Sequence, residues 1–471
     1  MTIDDPARPD TEAAPAHPDT PPASSDGKST WSALRPLVLR LHFYAGVLIA
    51  PFLLVAAASG LLYALSFQAE KVIYAHELEA PVGDKVLPLS QQVHAATKVN
   101  PDGTVTAVWP SAEDGATTRV LMADPDVEEG TSLAVFVDPY TAEIRGQLPS
   151  YGSSGALPLR TWIDELHRDL HLGDLGRNYS ELAASWLWVI ALGGLALWIG
   201  RKRKNRRSLV VPERGPKSRR RTLSWHGTVG LWAVAGLVVL SATGLTWSRY
   251  AGENIGAVQD QLGGATPTVS ATLEGAAGGS SEHEGHGDGH QAPAATGPDV
   301  GIDRVVEAAR AKGVEGRISV VLPSEGKGYV VKETDTQFPV HLDSVAVNPA
   351  DGAVIDELRF ADYPVLAQLT RFGIDMHMGV TFGLVNQLAL AALALALILL
   401  IVWGYRMWWL RRPGRPVARG AWRKVPVTML LPLLAATALV GWFVPMLGVS
   451  LLAFLVVDLA LGLVARARSR A

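Results

Sequence analysis

The 471-residue chain has no cysteine. That absence excludes disulfides, thiolate metal sites, iron–sulfur clusters and covalent haem attachment through Cys-x-x-Cys-His. Charge is scarce as well, at 18% of residues, and it is bunched rather than spread. No Gly-x-Gly-x-x-Gly is placed between a strand and a helix, and no phosphate-binding loop is present, so a nicotinamide, flavin or nucleotide domain is not expected. The first residues, rich in Pro, Ala, Asp, Ser and Thr, lack the apolar core of a signal peptide. They read as a disordered cytoplasmic tail over residues 1–34.

What the chain does have is apolar sequence. Hydrophobic residues make up 48%, and runs of about 20 residues, enough to cross a bilayer, lie near 43–66, 181–200, 226–247, 384–405, 427–445 and 447–465. Six spans are expected. Between Arg201 and Arg221 there are eleven Lys or Arg and one acid; between Arg406 and Lys424 there are seven and none; Arg466, Arg468 and Arg470 end the chain. Basic loops stay on the cytoplasmic side. A multi-pass protein of the cytoplasmic (inner) membrane is therefore expected, with both termini inside and the long segments 67–180 and 248–383 outside.

The chain also repeats itself. "HFYAGVLIAPFLLVAAASGLLY" from His42 aligns without a gap with "HGTVGLWAVAGLVVLSATGLTW" from His226, matching Gly46 with Gly230 and Gly60 with Gly244. Further on, "RDLHLG" with His171 precedes the second span, and "GIDMHMG" with His377 precedes the fourth. Two histidines are thus expected near the inner face and two near the outer face. On a helix, glycines 4 and 18 residues after a histidine share its face, so each stripe leaves room for something flat. A b-type haem is such a plate, held by axial imidazoles from facing helices. Glycine on a membrane helix also serves plain helix packing; recurrence in register with an ionisable residue favours function. His42 and His226 are read as ligands of an inner haem. His171 and His377 are read as those of an outer haem, with His167, one helical turn before His171, as an edge contact, a neighbouring residue or the ligand of a different site. Arg40 and Arg221 beside the inner histidines, and Arg168 and Arg371 beside the outer ones, are candidates for holding propionates, although arginines are also needed there for topology.

With "RLHFYAG", "ELHRDLHLG", "SWHGTVG", "IDMHMG" and "VDPYTAEIRG" in hand, the chain resembles, over about residues 35–410, the PepSY-associated transmembrane proteins. These are also described as iron-regulated membrane proteins or PepSY-type ferric-siderophore reductases. The resemblance implies four core helices binding b-type haem and electron transfer across the inner membrane to ferric iron in chelates. Carried over by position, the ligand set is His42, His171, His226 and His377.

The outer segments read as soluble α+β modules. Each opens with a helical stretch, "LSQQVHAATKV" or "GIDRVVEAARAKG", and continues with alternating strands that end in "VDPYTAEIRG" or "VNPADGAVIDE". Each is about 60 residues, marginal on its own, so docking on the bundle or on its twin is expected. His94 and His341 are read as ordinary surface or packing residues. Between the modules, "SSEHEGHGDGHQ" offers His283, His286 and His290 as weak metal ligands in a mobile linker. The final hairpin has one acidic residue, Asp458, and no repeat partner.

The expected fold is a mainly α polytopic membrane protein: a duplicated four-helix haem-binding core, a C-terminal helical hairpin and two small PepSY-like extracytoplasmic modules. Its parts are TM1 at 35–66; the first module at 67–160; an outer histidine segment with TM2 at 161–200; a basic loop at 201–224; TM3 at 225–248; the His-rich linker at 249–299; the second module at 300–362; a histidine segment with TM4 at 363–406; a basic loop at 407–426; and the TM5–TM6 hairpin with its tail at 427–471. The expected activity is a transmembrane ferric-chelate reductase with two b haems, embedded in membrane lipid. It would be fed by a quinol or a cytoplasmic electron donor, emptied by a ferric chelate or other extracytoplasmic acceptor, and would have no nucleic-acid partner. The alternatives are a membrane-anchored regulator of an extracytoplasmic enzyme and a metal-ion uptake protein.

Overall fold

A computed structural model describes residues 30–128, 130–202, 207–214, 218–273, 297–410 and 425–468. The first half runs α1 (Thr30–Leu48), α2 (Ala50–Ile73), α3 (Ala75–Leu78), α4 (Leu89–Val99), β1 (Thr104–Trp109), β2 (Thr118–Ala123), β3 (Thr131–Val137), β4 (Ile144–Tyr151), α5 (Pro158–Arg168) and α6 (Asp174–Lys202). After the short α7 (Arg207–Val210), the second half runs α8 (Arg219–Thr246), α9 (Tyr250–Gln261), α10 (Ile302–Ala311), β5 (Ile318–Val321), β6 (Tyr329–Glu333), β7 (Ser344–Val347), β8 (Val354–Leu358), α11 (Val365–Met378) and α12 (Gly383–Trp409). The chain closes with α13 (Val427–Phe443) and α14 (Pro445–Arg468).

Among the described residues, five helices are long and apolar enough to cross a membrane: α2, α6, α8, α12 and α14. The sixth expected span, α13, has 17 residues. It turns back tightly on α14, where a Cβ on Gly448 would sit 2.3 Å from the Gly441 carbonyl oxygen. Only glycine permits that approach.

The first expected span is two helices, broken at Ile49. Pro51 lacks the N–H that would bond the Val47 carbonyl, and a freed carbonyl in an apolar setting needs another donor. Tyr405 of α12 supplies it, its hydroxyl lying 2.9 Å from Val47 O. The kink therefore ties α1 and α2 to α12. Helices α2, α6, α8 and α12 close into a ring, with α1 against α6 and Leu53, Ala183, Trp186, Ala233, Leu237 and Leu400 in its core.

Both halves place a helix before a four-stranded antiparallel meander. The meanders fuse edge to edge into one eight-stranded sheet of order β4-β3-β2-β1-β5-β6-β7-β8, joined where Ala107 and Val108 of β1 pair with Val321 and Val320 of β5. Pairing removes two free edges at once. Helices α4 and α10 cover one face over a shared core of Val108, Val120, Val135, Val320, Val331 and Val347, each worth about 1.5–3 kcal/mol when buried. The Asp303 carboxylate accepts from the Leu89 N–H at 2.6 Å, at the start of α4. One core for both units answers the marginal size of each.

The sheet is held to the bundle by α5. Glu70, near the end of α2, accepts from the Leu157 N–H at 2.7 Å and from Arg160 Nε at 2.8 Å. This ion pair is buried on both sides, and losing one partner of such a pair costs about 3–5 kcal/mol.

Candidate functional site

The bundle has two ends, one under the sheet and one away from it, and each carries a pair of histidines. At the far end, His42 of α1 and His226 of α8 have ring centroids 6.3 Å apart with planes crossed at 73°. Each ring has its Nδ1 on a backbone carbonyl: His42 on Ile190 O of α6 and His226 on Leu400 O of α12, both at 3.0 Å. A carbonyl only accepts, so Nδ1 carries the proton and Nε2 keeps its lone pair. Oriented in this way, the two rings could hold a metal-centred cofactor through their Nε2 atoms.

The separation fits such a use. At 6.3 Å the rings lie within the range of an edge-to-face pair, and both could also hold one group between them. A Cβ on Gly46 would meet nothing within 4 Å, and one on Gly230 only Leu400 Cδ2 at 3.7 Å. A glycine not singled out in the sequence, Gly194 of α6, seats the His42 ring: a Cβ there would lie 2.9 Å from His42 Cε1. Among the described residues no three His, Asp or Glu gather as a metal cluster.

At the sheet end the structure brings His377 of α11 together with His167 of α5. His167 Nδ1 is 2.9 Å from Ser59 Oγ of α2, and His377 Nδ1 is 2.7 Å from Thr243 Oγ1 of α8. Both hydroxyls already donate to carbonyls of their own helices, Ser59 to Val55 O and Thr243 to Val239 O, each at 2.8 Å. They therefore accept from Nδ1–H, and Nε2 is again left free. Gly60 and Gly244 follow these hydroxyls directly and seat the rings. A Cβ on Gly60 would stand 3.2 Å from His167 Cε1, and one on Gly244 3.5 Å from His377 Cε1. Trp247 meets the His377 ring edge-on at 5.6 Å. Neither α5 nor α11 spans the membrane. Burial lowers His377 to about 3, with the nearby His167 adding to the shift, and burial lowers His167 too. Both imidazoles are neutral near pH 7.

This arrangement corrects the pairing of His171 with His377. After Arg168 the chain leaves the helix, and Leu170 and His171 take φ values of 58° and 54°, so His167 and His171 do not share a helix face. His171 is exposed, with Nδ1 3.1 Å from Glu165 and its ring 5.0 Å from Trp162.

The arginines are engaged elsewhere. Arg40 is buried in an ion pair with Asp458 of α14 and lies over the Tyr44 ring at 5.2 Å. Arg221 is exposed. Arg168 bonds Tyr151 and faces Asp164 and Asp169, and Arg371 pairs with Asp375 at 2.8 Å. His94 and His341 are exposed. His283, His286 and His290 lie outside the described residues.

No curated protein matches the chain. The family model described as the PepSY-associated TM region matches residues 39–411, from the turn of α1 that carries His42 to the end of α12, and leaves out α13 and α14. The chain thus belongs to the PepSY-associated transmembrane family, as a multi-pass membrane protein.

Proposed function

We propose that the protein is a b-type haem electron carrier of the cytoplasmic membrane. One haem would lie between His42 and His226 at the cytoplasmic side and a second between His167 and His377 at the extracytoplasmic side. The observation that carries this reading is the 6.3 Å separation of the His42 and His226 rings together with the commitment of both Nδ1 atoms to backbone carbonyls. When bound, haem supplies reversible one-electron chemistry. The protein's part is to set ring orientation through Ile190 O, Leu400 O, Ser59 and Thr243, and to keep water from the Nε2 atoms by packing. It also separates the two sites along the bundle, so that charge moves from one face of the membrane to the other. Orienting acceptors behind the ligands also raise their basicity.

The electron donor in this reading is a quinol or a cytoplasmic partner, and the acceptor is an extracytoplasmic ferric chelate, as the family resemblance implies. The basic loops, placed on the cytoplasmic side by the charge bias, set the direction. The sheet, resembling a pair of PepSY modules, would then face the acceptor. The test is a reduced-minus-oxidised spectrum with pyridine-haemochrome quantitation on the wild type, His42→Ala and His377→Ala. A b-type spectrum that falls by about half in each variant is expected for two sites. A folded wild type that takes up no haem when haem is supplied refutes the proposal and turns attention to the sheet as a regulatory surface.

A further inference from the structure

The sheet end of the bundle carries an apolar surface that the electron path does not use. Helix α11 does not span the membrane, yet Val365, Leu369 and Phe372 fall on one stripe of it, with Val365 and Leu369 exposed. Arg371 and Asp375, paired with each other, lie on another side. The Phe372 ring stands 6.1 Å from that of Phe382, the residue directly before α12. Phe338, in the turn between β6 and β7, stands 6.1 Å from Phe382 in its own right, and its N–H donates to the Thr381 carbonyl at 2.8 Å. Phe338 is nonetheless 68% exposed. A turn of the sheet thus holds a bare aromatic ring against the start of a spanning helix.

We infer that this surface, the apolar stripe of α11 with the β6–β7 turn, is embedded in lipid at the boundary between headgroups and acyl chains. Continuity with the lipid-facing side of α12 selects this occupant. Leu384, Val385 and Leu388, in the first turns of α12, are exposed apolar residues on a helix long and apolar enough to cross the membrane, so lipid covers them. Phe382 precedes Leu384 by two residues, and the bond to Thr381 fixes Phe338 at nearly the same depth. A non-spanning helix with an apolar stripe on one side and its charges on another is the pattern of an element lying in the interface. The chain offers a contrast of its own. The equivalent turn of the first meander, between β2 and β3, carries Asp124, Asp126 and Glu128, which lipid would exclude. The sheet therefore leans on lipid through its second meander. This contact needs no haem and stands apart from the electron-carrier reading; it gives α11, which carries His377, a support on the side away from Thr243.

The absence of cysteine makes the test direct. Phe338→Cys, Leu369→Cys, Glu307→Cys and Leu395→Cys are each labelled with bimane in the full-length protein and placed in lipid nanodiscs. Leu395, exposed near the middle of α12, reports the acyl core, and Glu307, exposed on α10, reports water. Phosphatidylcholine with a nitroxide high on its acyl chain should quench the labels of Phe338→Cys and Leu369→Cys, one with a nitroxide near the chain end should quench Leu395→Cys best, and iodide should quench Glu307→Cys alone. Quenching of Phe338→Cys and Leu369→Cys by iodide and not by nitroxide lipid puts the surface in water and overturns the inference. Protection of both labels from both quenchers, with a particle mass of two chains per disc, assigns the surface to a second copy and overturns it as well. Leu369→Cys keeps the test decisive where Phe338→Cys disturbs the turn, because it probes the same surface from α11 and leaves Phe338 in place.

Discussion

Replacing His171 and His167 separately tests the assignment at the sheet end most sharply. His171 holds a left-handed conformation with φ 54°, which costs a residue other than glycine about 1 kcal/mol. His171→Gly releases that strain. Against it stand the contact with Glu165, with both side chains about a third exposed and so worth at most about 1 kcal/mol, a ring contact of about 0.5 kcal/mol with Trp162, and the extra freedom of glycine when unfolded, about 0.5–1 kcal/mol. The opposing terms exceed the released strain by at most about 1.5 kcal/mol, so His171→Gly should unfold within a few degrees of the wild type with its full haem content. His167→Ala leaves a void beside Gly60 and strips Ser59 of its partner, a loss of about 2–3 kcal/mol, and under the proposed function it removes a haem ligand. Haem per chain should drop by about half. The assay is pyridine haemochrome per mole of protein alongside thermal unfolding. A His171→Gly protein with half the haem, next to a His167→Ala protein that keeps all of it, refutes the pairing argued from Ser59 and Thr243.

Gly194→Ala puts a methyl group 2.9 Å from His42 Cε1, so the ring must tilt off the Ile190 carbonyl; the far-end haem should be lost or show a shifted reduction midpoint in a redox titration, while the sheet-end haem keeps its own. Tyr405→Phe leaves the Val47 carbonyl unpaired in an apolar setting and should destabilise the bundle by about 1–3 kcal/mol in chemical denaturation, with haem per chain unchanged in the folded fraction. In the haem-free protein, His377 is lowered from 6.5 to about 3, so between those values the unfolded chain binds the extra proton. Stability contributed by this group is full above pH 6.5 and falls as pH drops through the window; a pH series of melting temperatures that rises on acidification from 6.5 to 4 contradicts the neutral, buried imidazole.

The architecture was legible wherever periodicity was strong. Apolar runs gave the helices, and alternation in "TTRVLMA" and "SLAVFV" gave β2 and β3. Two features lay beyond local pattern. The break at Ile49 follows from a single proline within a run that hydropathy reads as continuous. Fusion of the meanders through β1 and β5 is a choice of partner edge, which no window of sequence encodes. Asp458 was visible as the lone acid of the hairpin, but its role depends on Arg40, 418 residues away.

The sequence places His171 beside His377, whereas the structure brings His167 there. His42 and His226, and likewise Ser59 and Thr243, are separated by 184 residues. His167 and His377, Ile190 and Leu400, Gly194 and Gly404, and Gly173 and Gly383 are all separated by 210. At that offset "ELH" faces "DMH", whereas matching "HLG" to "HMG" slips the frame by four residues and selects His171. The short match of "HLG" to "HMG" competes with this longer, weaker register. The structure also explains why both offsets matter. Every orienting bond stays within one half of the chain: His42 to Ile190 and His167 to Ser59 in the first, His226 to Leu400 and His377 to Thr243 in the second. Every histidine pair joins the two halves. Each half therefore presents two oriented imidazoles with free Nε2 atoms and completes neither site alone, so the β1–β5 seam and the helix ring that join the halves also assemble both sites.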